Sequence, residues 1–306
     1  MNINPVLLKE LKVRMRGWKA AGIIALYLLI LTLVALFIMY TTFMNPYSSN
    51  IDPQISIGSY TGLAVIQFIL IMFIVPALTA GAIAGEREKQ TLDLVLCTKL
   101  RPISIITGKL FASTSQTLLL IFASLPLFSM VFLFGGISIK EIIQLFGFYI
   151  VTAVTIGCIG IFFSTHLKRT TAATVFTYGT VAFLAFGTIF IGIFYIRIFY
   201  QFNYQNFLPI LYSNPLAGFS SLLAGQFGYY GGGMNFIPGF YIVNQGQNPN
   251  MAKAIDPWLA NVIFDAVLSA VLLMLSAIRI NPVRKNIFSF TRFKKKSRKA
   301  ASGDIN

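Results

Sequence analysis

Two long uncharged segments constrain the fold of this chain more than any other feature. Residues 57–84 and residues 110–139 contain no Asp, Glu, Lys, Arg or His. Each is longer than the ~20 apolar residues that cross the hydrocarbon core of a bilayer as a helix. Only 11% of the whole chain is charged, whereas soluble domains carry about 25% charged residues. We therefore predict an all-α integral membrane protein.

Further apolar segments of similar length bring the number of predicted membrane-spanning helices to six. Their expected bounds are residues 20–43, 57–84, 110–134, 142–165, 171–196 and 258–278. The transmembrane domain would then cover residues 20–278, with a polar connector at 85–109, a long loop at 197–257 and a basic tail at 279–306. The first span is about twice as long as the apolar core of a signal peptide, so we expect a retained anchor.

The segment before the first span is predicted to be an amphipathic helix on the membrane surface. At 100° per residue, its apolar and basic side chains fall on opposite faces. The apolar face holds Leu7, Leu8, Leu11, Met15 and Trp18, and the basic face holds Lys9, Lys12, Arg16 and Lys19. A disordered basic leader over residues 1–19 is the alternative.

The distribution of basic residues predicts the orientation. Of the 24 Lys and Arg residues, all but Lys140, Arg197 and Lys253 lie in the N-terminal segment, the 85–109 connector, the connector after the fourth span, or the tail. Basic residues concentrate in cytoplasmic loops. We therefore expect both termini and the 85–109 connector in the cytoplasm. This topology accounts for the net charge of +15, so no nucleic-acid partner is needed.

The sequence lacks the motifs of the common catalytic and metal centres. It contains no G-x-S-x-G, no H-E-x-x-H and no G-x-x-x-x-G-K-[ST] phosphate loop, since Gly108-Lys109 is followed by Leu110. Cys97, Cys158 and His166 have no companions at metal-ligand spacing. We therefore expect no catalytic residue, no metal and no cofactor in this chain.

Asp265 is an ionisable residue inside a predicted span. It lies about 10 Å along the sixth helix from its start, at 1.5 Å per residue, and such a group is a functional candidate by default. It could pair with Arg197 or face a substrate path. It could equally reach the interface or be hydrogen-bonded between helices.

The long loop contains a second structured segment, residues 214–225. Asn214 suits a helix N-cap and Pro215 the first helical position. The apolar part is too short to span the membrane. A re-entrant or interfacial helix is therefore predicted in this loop.

The 85–109 connector combines charges with apolar side chains. Gly85-Glu86-Arg87-Glu88 is followed by Thr91, which can cap a helix that carries Leu92, Leu94, Val95 and Leu96. Apolar residues framed by charges are typical of a docking surface. The leucines could instead pack on the ends of the spans or enter the membrane interface.

These residues carry a family resemblance. Gly85-Glu86-Arg87-Glu88, Thr91 to Leu96, Arg101-Pro102 and Gly108-Lys109-Leu110 resemble the connector of type-2 ABC transporter permeases. The opening residues 4–11 and Asn214-Pro215-Leu216 support the resemblance. Gln90 departs from it, because the family often has Gly there, and so does Lys99, where a small residue or Pro is common.

The resemblance implies a permease that pairs with a second, identical or homologous permease and with two separate ATPase subunits, which bind ATP and Mg. It implies a bacterial cytoplasmic membrane protein whose connector forms the coupling helix seated on the ATPase. The implied coupling residues are Glu86, Arg87, Glu88, Gln90, Thr91, Leu92, Asp93, Leu94, Leu96, Arg101 and Pro102.

We therefore expect the permease subunit of an ATP-driven exporter. The apolar, aromatic-rich spans favour a hydrophobic or amphipathic cargo. Two alternatives remain: a membrane anchor or regulatory subunit that transports nothing, and an ion-coupled secondary transporter.

Overall fold

The structure, a computed structural model, describes residues 18–43, 53–92, 102–133, 137–199, 209–227 and 256–280. Within these ranges the chain forms helices and no strand. The predicted surface helix lies outside the described residues except at its end, as do most of the 197–257 loop and of the basic tail.

Ten α-helices account for most of the described chain. They are α1 (Trp18–Phe43), α2 (Pro53–Thr79), α3 (Ala84–Glu88), α4 (Pro102–Ala123), α5 (Leu125–Leu133), α6 (Ile139–His166), α7 (Thr170–Ala182), α8 (Thr188–Phe199), α9 (Pro215–Phe227) and α10 (Pro257–Ile280). A π-helix (Phe183–Gly187) joins α7 to α8, and a 3-10 helix (Pro209–Ser213) precedes α9.

Six helical segments of the described chain are long and apolar enough to cross a membrane. They confirm the predicted all-α membrane fold. α1, α6 and α10 each supply one span, α2 with α3 supplies the second, α4 with α5 supplies the third, and α7 with α8 supplies the fifth. We call the end of the bundle that holds α3 the charged end, and the other the opposite end.

The third span begins earlier than the sequence indicated. α4 starts at Pro102, inside the segment assigned to the connector, because proline suits the first helical position. Lys109 lies inside α4 although it is charged, since its side chain is buried and paired with Glu86. The 85–109 connector is therefore partly the first turns of the third span.

α6 lies at the centre of the bundle. It packs against α2, α4, α7 and α10, and most of its side chains between Leu145 and Thr165 are buried. A capping box begins it at the opposite end: Glu141 N–H donates to Ser138 Oγ, and Ser138 N–H donates to the Glu141 carboxylate at 2.7 Å.

Two glycines of α6 let neighbouring helices approach closely. A Cβ at Gly157 would lie 2.9 Å from Thr114 Cγ2 of α4, and a Cβ at Gly160 would overlap the Thr79 side chain of α2. Small residues at such crossings favour close helix packing in membranes. These contacts bring the second, third and fourth spans together near the charged end.

α9 is a buried helix between the spans. Its Phe219 ring stacks on Phe68 of α2, with centroids 4.4 Å apart, and also lies against Tyr149 of α6. The side chains from Ala217 to Leu223 are buried. This loop helix therefore forms part of the core of the bundle.

α1 lies at the edge of the bundle. A row of its large apolar side chains is exposed, which is the surface expected to face lipid hydrocarbon. The row consists of Leu26, Leu29, Leu33, Leu36 and Tyr40.

Candidate functional site

The charged connector begins with α3, which is fixed to the end of α6. The backbone N–H groups of Ile83 and Ala84 both donate to Ser164 Oγ, each at 2.9 Å. N–H groups at a helix start have no intrahelical acceptor. Ser164 supplies one, and this contact sets the position of the three charged residues that follow.

Glu86 connects α3 to the third span. Its Oε1 lies 2.6 Å from Lys109 Nζ of α4, and Lys109 also donates to the Ala82 carbonyl at 3.1 Å. The Lys109 side chain is 3% exposed and that of Glu86 24% exposed. A buried ammonium is costly without a counter-charge, so this pair holds the start of the third span against α3.

Arg87 connects α3 to the end of the fourth span. Its Nη1 donates to the Leu167 carbonyl at 2.8 Å, and its Nη2 donates to the Thr165 carbonyl at 3.0 Å. The last carbonyls of a helix lack N–H partners and carry partial negative charge. The guanidinium therefore caps the C-terminus of α6.

Glu88 connects α3 to the start of the fifth span. Its two carboxylate oxygens accept hydrogen bonds from Thr170 N–H at 2.9 Å and from Thr170 Oγ1 at 2.8 Å. Arg169, which precedes α7, makes no side-chain cap of its own. A carboxylate is favourable at a helix N-terminus, so Glu88 caps α7 from another part of the chain.

Glu86, Arg87 and Glu88 thus act on three different spans, and we call them the clamp. Each uses a different interaction: an ion pair, a cap of a helix C-terminus, and a cap of a helix N-terminus. Movement of α3 would be passed to the third, fourth and fifth spans together. The arrangement therefore links α3 directly to these three spans.

The chain leaves α3 through a left-handed turn. Gln90 has a φ of 57°, and the N–H groups of Gln90 and Thr91 donate to the carbonyls of Arg87 and Glu86 at 3.1 and 2.9 Å. These are the two hydrogen bonds of a Schellman motif, whose left-handed position favours glycine. The Gly that the resembled family often has here is explained by this backbone conformation.

The remaining predicted coupling residues are only partly described. Thr91 is exposed, and Leu92 is buried and has a helical backbone. Asp93, Leu94, Leu96 and Arg101 lie outside the described residues. The backbone of Pro102 starts α4. Whether this set contacts an ATPase stays a prediction.

The structure changes the view of which connector side chains are free to meet a partner. The sequence analysis assigned Glu86, Arg87 and Glu88 to an intermolecular contact, and all three have partners within the chain. The segment from Glu88 to Thr91 is nevertheless exposed, and so are Lys168 and Arg169 beside it. The exposed surface at the charged end therefore comes from two connectors.

The sequence did not indicate which residues hold α3 in place. Ser164 and Thr170 carry no motif, and Lys109 was assigned to the connector. Ser164 and Thr170 contact residues about 80 positions earlier, such as Ile83 with Ser164, and Lys109 pairs with Glu86 of α3. Of these three residues, only Thr170 could have been found from the sequence, because a small hydroxyl residue after Lys168-Arg169 is typical of a helix start.

Asp265 is buried near the middle of the described bundle. Its side chain is 4% exposed, and its backbone carbonyl accepts hydrogen bonds from Thr155 Oγ1 and Ser269 Oγ. The side chain of Arg197 lies outside the description, so the predicted pair is untested. Within the described residues no group of three His, Cys, Asp or Glu side chains is placed to hold a metal.

Comparison with known proteins decides the family. A sequence model described as "ABC-2 family transporter protein" matches residues 4–227, well over half of the chain. The chain belongs to the ABC-2 transporter family. A search of the curated proteins finds no match. An ABC-2 transporter protein of this kind is the membrane component of an ABC transporter and works with ATPase subunits. The match includes both the clamp and α9.

Proposed function

We propose that separate ATPase subunits act on the charged end of this ABC-2 permease. The permease couples their ATP hydrolysis to the export of a cargo. Both termini and the clamp lie in the cytoplasm, and ATP and Mg are bound in the partner ATPase. A second permease subunit, identical or homologous, completes the membrane part. The cargo is hydrophobic or amphipathic, because the spans are rich in apolar and aromatic side chains.

The observation that carries this proposal is the clamp. A partner that moved α3 would act at once on the starts of the third and fifth spans and on the end of the fourth. A subunit that served only as an anchor would need a docking surface but no connection of that surface to three spans. The clamp therefore favours a moving permease over a static anchor.

The connector between the fourth and fifth spans would also contribute to the docking surface, because Glu88 binds it. Its hydrogen bonds to Thr170 bring Lys168 and Arg169 next to the exposed Lys89. The docking surface for the ATPase would then include both connectors, with the helix predicted from Leu92 onward as its main part.

The test is purification of the tagged chain from its native membranes in mild detergent, followed by reconstitution in proteoliposomes. We expect a phosphate-loop ATPase to co-purify in a fixed ratio and transport to require ATP. Transport that continues in ATP-depleted but ion-energised vesicles would support the secondary transporter. A nucleotide-free partner and no transport would support the anchor.

Two variants separate docking from coupling. Leu94→Asp is expected to weaken the association with the ATPase, because a charge enters the predicted docking helix. Arg87→Gln is expected to leave the ATPase bound but to lower transport per ATP hydrolysed, since the guanidinium hydrogen bonds from α3 to the carbonyls at the end of α6 are lost. Lys140→Gln, an exposed site at the opposite end, should change neither quantity. Loss of association in Arg87→Gln, with Leu94→Asp unaffected, would contradict this division.

A further inference from the structure

The fifth span contains one turn of a different helical type. Between α7 and α8, residues Phe183–Gly187 form a π-helix, in which Thr188 N–H donates to the Phe183 carbonyl, five residues earlier. An α-helix would pair this N–H with Leu184 instead, and here the Leu184 carbonyl accepts the Thr188 hydroxyl at 2.7 Å. Single π-turns of this kind are frequent at functional sites.

Asn214 fixes this turn from the buried helix α9. Its Nδ2 donates to the Ala185 carbonyl at 2.9 Å and to Thr188 Oγ1 at 2.7 Å. Its Oδ1 accepts the N–H groups of Leu216 and Ala217 at 2.8 and 3.1 Å. One amide thus caps α9 and binds the π-turn, and it uses all four of its hydrogen-bonding positions. Serine or aspartate can cap a helix, but neither has the amide donor.

The sixth span joins the same group of contacts. Asn261 Nδ2 of α10 donates to the carbonyls of Tyr212 and Asn214, at 2.6 and 3.2 Å. Gly218 allows this approach, because a Cβ there would lie 2.5 Å from Asn261 Oδ1. The start of α9 is therefore held between the fifth and sixth spans, and its Phe219 reaches the second and fourth spans.

We propose that Asn214 is a positioning residue for transport that holds the fifth span in its π register. Release of the amide allows the turn to revert to α-helix. That change rotates α8 by about 100° and moves it about 1.5 Å relative to α7. A one-residue shift of this kind is a two-state change, because intermediate registers leave backbone groups unpaired. The movement would displace α9, which is packed against four spans.

This proposal rests on the proposed function for its place in the transport cycle, but the register itself can be tested without ATP. Spin labels at Val175 of α7 and Phe190 of α8, both exposed, report the register by their distance. Cys97 and Cys158 are replaced first by serine and alanine. The distance between the two labels is then measured in the full chain by pulsed electron paramagnetic resonance, in nanodiscs with and without the ATPase partner.

The decisive variant is Asn214→Ser, which keeps an N-cap oxygen and removes the amide donor. We expect a second label distance, different by about 5 Å for a 100° rotation, with a population raised about tenfold over the wild type. Thr188→Val removes one acceptor of the same amide without altering the cap of α9, and should move the distance in the same direction. A control pair at Ile143 and Val175 lies wholly before the π-turn and should stay fixed.

Several outcomes would overturn the proposal. One is a single wild-type distance in both variants while the control pair is unchanged. If the control pair moves in Asn214→Ser, that variant is misfolded and Thr188→Val alone decides. Addition of ATP to the complex should populate the second distance in the wild type. Active transport with no such change would refute the role in transport, whereas absence of ATP-driven transport would refute the proposed function and leave the register result standing.

Discussion

The ion pair between Glu86 and Lys109 provides the most quantitative test of the clamp. The two side chains are 2.6 Å apart, and Lys109 is almost fully buried whereas Glu86 keeps 24% of its exposure. Removal of each partner should have a different effect, because Glu86 Oε2 is buried without a hydrogen-bond partner in the described residues despite that exposure. Glu86→Gln leaves a buried ammonium with no counter-charge from this position but keeps an acceptor for it, whereas Lys109→Met leaves a carboxylate with a buried oxygen and no cation.

The expected magnitudes follow from this difference. Removal of one partner of a buried ion pair costs about 3–5 kcal/mol. Glu86→Gln should fall at the low end, about 3 kcal/mol, because the amide oxygen can still accept a hydrogen bond from Lys109. Lys109→Met should fall at the high end, about 4–5 kcal/mol, since Glu86 Oε2 is buried and has no hydrogen-bond partner in the described residues. The double variant should lose at least about 1 kcal/mol less than the sum of the single losses.

The assay is the free energy of unfolding in detergent micelles, titrated with denaturant. Lys140→Gln is the control, because Lys140 is exposed in the first turn of α6 at the opposite end of the bundle. Its free energy of unfolding should stay within about 0.5 kcal/mol of the wild type. Equal, small and additive losses in the two single variants would contradict a buried ion pair, because they would show that the two charges are solvated.

Three further variants test other contacts. Glu88→Ala removes the cap of α7 and should lower stability, measured by the same titration, while Glu88→Gln should lose less because it keeps an acceptor for Thr170. Gln90→Gly relieves the left-handed backbone and should leave stability unchanged or raise it by up to about 1 kcal/mol, whereas Gln90→Val should lower it; the reverse order would contradict the φ of 57°. Asp265→Asn should raise the melting temperature, because a buried carboxyl group with no hydrogen bond in the described residues becomes a neutral amide, and a lower melting temperature would show that the carboxylate is paired.

Long-range charge pairing limited what the sequence alone could predict. The uncharged segments predict the spans because a bilayer leaves few alternatives for about 20 apolar residues. Asn214-Pro215 predicts the start of α9 because N-cap chemistry is local. The clamp is different: Arg87 reaches carbonyls about 80 residues away, and no local pattern distinguishes an inward arginine from one that faces a partner.

The π-turn was hidden for a related reason. Phe183–Gly187 contains no proline and reads as part of a continuous apolar span. Its register depends on an amide donated by Asn214, which follows in the next loop. A Cβ at Gly187 would lie 2.7 Å from the Phe183 ring, so glycine lets this ring lie against the turn, yet an isolated glycine in a membrane span is too common to indicate a π-turn.

Site-specific photo-crosslinking tests the central claim most directly. A photoreactive residue replaces Lys89, exposed beside the clamp, or in a matched sample Lys140, exposed at the opposite end. Both samples are irradiated in native membranes, and the products are identified by mass spectrometry. We expect a crosslink from position 89 to a phosphate-loop ATPase and none from position 140. A crosslink to that ATPase from position 140, or none from position 89 while the ATPase still co-purifies, would contradict it.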